Sequence, residues 1–243
     1  MCTISKKKVK WSVDPEFIKE IKISLNEDNF EKAGSILFRD TECKNGICNK
    51  ESTKIKIKNG GKSSVFTPEG IINFHTHPRN AYKSQEAVFG WPSGEDMAQC
   101  INFAKEGTLV HIVFTLEGAY IIKVNKILNK QQTKILEDVF KETHVYRSSN
   151  QATQLKNFKK KFRLSGVSTL ELWLNLANQI TLTRLYELYN FINKKSLKVP
   201  KDDINIFEVN LTNINKTLVF NANYIQEKCH ALNFNKQFQN SLS

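Results

Sequence analysis

The chain has 243 residues, 40% of them hydrophobic, and a formal charge of +12 from 36 Lys+Arg against 24 Asp+Glu. That length can bury a sizeable core, in one domain with an extension or in two small domains, and the longest apolar runs, 112–114 and 119–122, are far too short to cross a bilayer. The basic excess fits nucleic acid, an anionic membrane or an acidic protein, but Lys, Asn and Ile abound while Arg is scarce, the skew of an AT-rich coding sequence, so charge alone assigns no partner.

Residues 1–10 are basic and lack the apolar stretch of a secretory signal. Asp14-Pro15 supplies an N-cap followed by proline at the first helical position, and Phe17, Ile18, Ile21 and Ile23 predict a helix to about Leu25. Residues 31–38 read as a mostly apolar strand and 41–50 as a polar turn region. Ile55 and Ile57 alternate with lysines as on a half-buried strand, Asn59-Gly60-Gly61 turns the chain, and 63–66 form the returning strand. Residues 71–77 are the next strand, with Ile72 and Phe74 facing opposite His75 and His77. Residues 79–91 read as a loop, and 93–105 as an amphipathic helix through Met97, Ile101 and Ala104. Glu117-Gly118 turns a hairpin between 109–116 and 119–124, and 127–143 are helical through Leu128, Ile135, Leu136 and Phe140.

Residues 148–163 carry Lys156, Lys159, Lys160, Lys161 and Arg163 and read as a basic linker or solvated helix. Residues 169–193 place Leu170, Trp173, Leu174, Ala177, Ile180, Leu185, Leu188 and Ile192 at helical spacing, and 204–211 with 217–225 make a terminal β-hairpin. The fold class is therefore α+β, a central mixed sheet flanked by helices in an αβα arrangement, with a mainly helical C-terminal extension. The five cysteines (Cys2, Cys43, Cys48, Cys100, Cys229) sit at irregular places, which favours reduced thiols and an intracellular, cytoplasmic or nuclear location rather than secretion. Cys43 and Cys48 could pair or bind metal, but they flank the turn signal Asn45-Gly46, which favours reading their proximity as incidental.

The segment His75-Thr76-His77-Pro78, followed by Pro92-Ser93-Gly94-Glu95-Asp96, carries the chemistry. Histidines at i and i+2 project from one face of a strand, so both imidazoles can bind one metal ion. Asp96, one helical turn after Ser93, supplies an anionic third ligand, and two His with one carboxylate leave a tetrahedral position for water. Ser93 and Asp96 also have the spacing of a helix-capping pair, a role compatible with ligation. His111 reads as a packed or hydrogen-bonded strand residue, and His144 and His230 are isolated.

This constellation resembles the JAMM (MPN+) family of zinc metallo-isopeptidases: an upstream Glu, then His-x-His-Pro, then Ser-x-x-Asp. Glu31-Lys32-Ala33-Gly34-Ser35-Ile36-Leu37-Phe38 is similar to the family's first core strand, which opens on the catalytic Glu. The resemblance spans residues 12–145 as an MPN (JAB)-like domain and leaves 146–243 as an extension. It implies Zn²⁺ held by His75, His77 and Asp96, Glu31 as general base, and Ser93 as donor to the oxyanion. It also implies ubiquitin or ubiquitin-like conjugates as substrates, with a larger protein assembly docking through the extension. Glu27, Glu42 and Glu69 are other local carboxylates for the base. His77 and Ser93 lie about twice as far apart as is usual in the family, so 80–90 read as an insertion at the rim, which leaves the ligands undisturbed if it loops outward and could restrict or reshape substrate entry. Two other readings share the motif: a RadC-like, nucleic-acid-associated protein, to which the basic linker lends support, and a JAMM-fold scaffold within a larger assembly.

Overall fold

The computed structural model describes residues 4–27, 29–45, 47–61, 65–85, 87–125, 207–214 and 218–227, together with part of the stretch 130–176. In chain order the elements are β1 (Ile4–Val13), α1 (Pro15–Glu27), β2 (Lys32–Lys44), β3 (Ile47–Asn59), β4 (Ile72–Thr76), α2 (Arg79–Ser84), α3 (Gly94–Lys105), β5 (Val110–Phe114), β6 (Ala119–Val124), β7 (Phe207–Thr212) and β8 (Leu218–Glu227). The eight strands form one sheet in the order β7-β6-β5-β4-β2-β3-β1-β8. Pairing is parallel between β4 and β5 and between β1 and β3, and antiparallel elsewhere, so the sheet is mixed.

Alternation along the strands divides the molecule into two apolar layers. On one face, Trp11, Ile36, Ile72, Phe74, Ile112, Phe114 and Ile121 meet the buried stripe of α1, Phe17, Ile18, Ile21 and Leu25. Aromatic edges fill this layer: Phe74 lies 5.3 Å from Phe17 and 5.6 Å from Phe114, ring to ring. Gly34 makes it possible, since a Cβ there would stand 2.5 Å from the Phe74 ring and 2.1 Å from the Lys56 carbonyl. On the other face, α3 buries Met97, Cys100 and Ile101 against Val113, Tyr120 and Ile122, joined by Leu155, Leu172 and Trp173.

Several elements depart from the pattern expected from sequence. β1 was not foreseen, because its residues are mostly basic and polar; it pairs on both sides, with β3 and with β8, and buries Val9, Trp11 and Val13. The expected polar turn over 41–50 is a continuation of the β2–β3 ladder, closed by a two-residue turn in which Asn45 takes φ 51, a left-handed value asparagine tolerates. The register sets Cys43 opposite Cys48 with 4.0 Å between Cα atoms, and the two form a disulfide. The reduced state expected of all the thiols thus fails at this pair. Val65 and Phe66 are not in a strand, and α2 occupies part of the expected loop 79–91.

The expected terminal hairpin is also absent: β7 pairs with β6 and β8 with β1, at opposite edges of the sheet. The sheet therefore takes strands from both the 12–145 segment and the 146–243 segment. Helical residues occur at the described positions of 130–136, 153–161 and 169–176, while the rest of the expected helices at 127–143 and 169–193 lies outside the described residues. The separation of β7 and β8 also fixes a shape. A flat eight-stranded sheet would hold its edges about 34 Å apart, yet the link from Thr212 to Leu218 reaches at most about 20 Å. The sheet must curl, and Ile214 of that link is buried in the same layer as α1. Among the described residues, no helix is long and apolar enough to cross a membrane.

Candidate metal centre

β4 carries Asn73 and His75 on the face turned toward α3, and the chain leaves the strand at His77, whose N–H bonds the Phe114 carbonyl at 2.8 Å. Antiparallel pairing sets Ala33 of β2 opposite His75. Continuing that register brings Glu31 beside His77, and the small Ala33 leaves room in front of the imidazoles. The Glu31 backbone is pinned on both sides, its N–H to the Gly61 carbonyl at 3.0 Å and its C=O to the Gly60 N–H at 2.8 Å. The next N–H, of Lys32, bonds Thr76 Oγ1 at 2.8 Å.

Asp96 reaches the same place from α3. Ser93 Oγ accepts the Asp96 N–H at 3.1 Å, and Asp96 Oδ2 accepts the Ser93 N–H at 2.6 Å, a reciprocal cap. Capping and ligation are thus one arrangement: the bond that closes the cap also aims the carboxylate at the histidines. Asp96 Oδ1 lies 3.3 Å from His75 Nε2, Oδ2 lies 3.6 Å from His77 Nε2, and the two Nε2 atoms are 3.0 Å apart. His75, His77 and Asp96 are the group of metal-ligating side chains found together among the described residues, their ligand atoms all within 4.8 Å.

The donor set fits a zinc ion. Ligands at about 2.0–2.2 Å around a tetrahedral centre stand roughly 3.3–3.6 Å from one another; His75 Nε2 lies at that distance from one Asp96 oxygen and His77 Nε2 from the other, and one ligand atom from each residue falls within 4.8 Å of the rest. The tautomers fit as well. His77 Nδ1 lies 3.0 Å from the Gly90 carbonyl, an acceptor only, so Nδ1 carries the proton and Nε2 presents a lone pair. His75 also presents Nε2 inward, 3.0 Å from that of His77, so both rings turn the same nitrogen to one point.

The electrostatics suit the same chemistry. Burial, with His77 opposing and Asp96 adding, raises the Glu31 carboxyl to about 7. Burial also drives His75 down to about 4 against the pull of Asp96, and holds His111 well below the ordinary histidine value. Both rings are neutral near pH 7, the state a metal requires. Burial works against the Asp96 carboxylate, but His75, His77 and the bonds from Ser93 keep it below its usual value. Glu31 is 6% exposed, whereas Glu27, Glu42 and Glu69 are exposed; only Glu31 combines burial with a place beside the ligands.

Within the expected insertion 80–90, Tyr82 and Gly90 turn in toward the site. Gly90 accepts from His77 through its carbonyl and donates its N–H to Glu117 at 2.7 Å. Tyr82 and Tyr120 donate to the same carboxylate at 2.5 and 2.8 Å, and burial together with Glu117 pushes both phenols up, so both keep their protons. Gly90 is glycine for a local reason, since a Cβ would stand 2.2 Å from the Tyr82 hydroxyl. Sequence reasoning missed Tyr82, Glu117 and Tyr120, because Glu117 reads as a hairpin-turn residue and gives no sign of a distant partner. His144 and His230 lie outside the described residues.

No family model matches the chain, and no solved structure matches it. Over 87 residues, 35% of this chain, it is 32% identical to "Uncharacterized protein 3R" of Frog virus 3 (isolate Goorha), and the match covers 19% of that protein's length.

Proposed function

We propose that the chain is a zinc-dependent hydrolase of the JAMM type that cleaves an amide, by preference the isopeptide bond of a ubiquitin or ubiquitin-like conjugate. One observation carries the reading: His75, His77 and Asp96 bring one ligand atom each within 4.8 Å of one another, with a buried carboxyl, Glu31, raised to about 7 beside them. Zinc bound there would supply Lewis acidity and bring the pKa of its water to about 7. Glu31, near neutrality in affinity, accepts the water proton and delivers it to the leaving amine. Ser93 uses its oxygen lone pair for the cap, which leaves its O–H free to donate to the oxyanion. Losing such a donor typically costs about 2.7–4 kcal/mol of barrier. The test is cleavage of linkage-defined di-ubiquitins by wild type, by Glu31→Gln and by chelated protein. Cleavage lost in both controls supports the reading, and none by zinc-loaded wild type removes ubiquitin as substrate.

A second, nucleic-acid-associated reading rests on the β3 lysines. Register places Lys56 beyond Ser35 and Asn73, and Lys58 beyond Ala33 and His75, on the metal-site face. Lys54, Lys56 and Lys58 are exposed, and Lys58 Nζ lies 5.3 Å from the ring of Phe66, itself 76% exposed. Cations beside an open aromatic ring suit single-stranded nucleic acid. Binding that weakens steeply with salt, and that Lys56→Glu/Lys58→Glu weakens further while flattening its salt dependence, would favour it. The scaffold reading ranks last, since each ligand type is retained.

A further inference from the structure

We propose that Asn73 and His111 are positioning residues that fix the tautomer and direction of His75, and so set how tightly the centre holds its metal. The inference rests on the metal-centre reading above and extends it to two side chains that never meet the ion.

The argument is a chain of hydrogen bonds with one legal direction. The Pro68 carbonyl can only accept, and Asn73 Nδ2 donates to it at 3.4 Å. That orients the amide so that Asn73 Oδ1 faces His111 Nδ1 at 2.7 Å, which must then carry the proton. A neutral imidazole protonated at Nδ1 has a bare Nε2. His111 Nε2 lies 2.7 Å from His75 Nδ1, so His75 donates and its own Nε2 is left with a lone pair. This is the nitrogen that faces His77 and Asp96.

The rings of His75 and His111 are tilted by only 28°, and their centroids, 4.9 Å apart, exceed the nitrogen separation by about one ring diameter. The bond therefore runs end to end and holds the His75 ring in plane. The same geometry excludes His111 as a ligand to the same ion, because its Nε2 is spent on the far edge of His75. Asn73, His75 and His111 are 0%, 4% and 3% exposed, so water cannot replace a missing partner. Backbone pairing supplies the precision, since Asn73 and His111 are register partners on parallel β4 and β5.

Zinc affinity by chelator competition decides the matter, with the absorption spectrum of Co²⁺-loaded protein as a second readout. His111→Phe keeps the ring volume but removes the acceptor, and is expected to weaken zinc binding 10- to 100-fold, the usual range for such partners, and to shift the cobalt bands. His111→Gln, which can still accept from His75 Nδ1, should recover most of the affinity. Asn73→Ala, a gentler change that frees His111 to take the other tautomer, should weaken binding about tenfold and decides the question should His111→Phe not fold. Folded variants binding zinc within twofold of wild type, with unchanged cobalt spectra, would overturn the positioning role alone. Zinc bound equally by wild type and His75→Ala would instead overturn the centre itself.

Discussion

The two faces of β4 are built from neighbouring residues and do opposite work. Ile72 and Phe74 face α1 in a layer of aromatic edges and branched aliphatics, where shape alone decides the fit. Asn73 and His75, one position away, face α3, and their own side-chain nitrogens each meet a partner, the Pro68 carbonyl, His111 or His77. The apolar face tolerates volume-conserving change, because dispersion and transfer are non-directional. The polar face does not, because one wrong proton leaves a buried group without its bond. A strand of five residues thus anchors one layer with one side and carries a candidate metal ligand on the other.

Perturbing the faces separately tests this division. Glu31→Gln should lower amide hydrolysis by about 10²- to 10⁴-fold while leaving zinc content and fold intact, as metal analysis and circular dichroism would report; wild-type turnover would remove Glu31 from the base role. Phe74→Ala should cost about 3–5 kcal/mol in denaturant unfolding, yet the folded fraction should still bind one zinc. His77→Ala should abolish the difference in melting temperature between zinc-loaded and chelated protein, a stabilisation of about 4 kcal/mol when zinc is a thousandfold above its Kd. A chelator-insensitive wild type would argue against the site.

The smallest effect concerns pH in metal-free protein. Glu31, raised from 4.5 to about 7, favours the folded state below pH 4.5, and that contribution is lost as pH rises to 7. His75, lowered from 6.5 to about 4, contributes stability above pH 6.5 that is lost as pH falls to 4. Glu31 opposes His75 across the shared window, while His111, also held low by burial, acts in the same sense as His75, so wild type should lose some stability on acidification. Glu31→Gln removes the opposing side, and its metal-free stability should fall further than that of wild type between pH 6.5 and 4. A flat profile in that variant would show that burial of His75 is not what separates the faces.

Much of the centre was legible because its grammar is local. An i, i+2 histidine pair, a proline that ends the strand and a cap one turn before an acid each state a geometry within a few residues. Glu31 was legible only through its resemblance to a family strand, since several nearby glutamates look alike in sequence; burial separates them. What stayed hidden depends on register. His111 meets Asn73 because β5 pairs in parallel with β4 through a crossover, and no spacing in the chain announces which residues will be opposite. Glu117 was hidden for the same reason, as its three donors come from Tyr82, Gly90 and Tyr120. The fold was legible in its middle and not at its margins: β1 lacks an apolar signature, and β7 and β8 follow one another in sequence yet part to opposite edges.

That parting orders events in time. The strands of the centre, β2, β4 and β5, lie within residues 32–114, and their pairings can form early. β1 is different, for its register with β8 joins Val9 to Ala222 and Trp11 to Phe220, contacts more than two hundred residues apart in the chain. Such long-range closure is slow, and β8 cannot arrive until residue 227 has left the ribosome. Until then β1 and β6 are open edges able to recruit other chains. Fragments ending near residue 145 should therefore aggregate through those edges even where the ligand strands themselves are correctly paired.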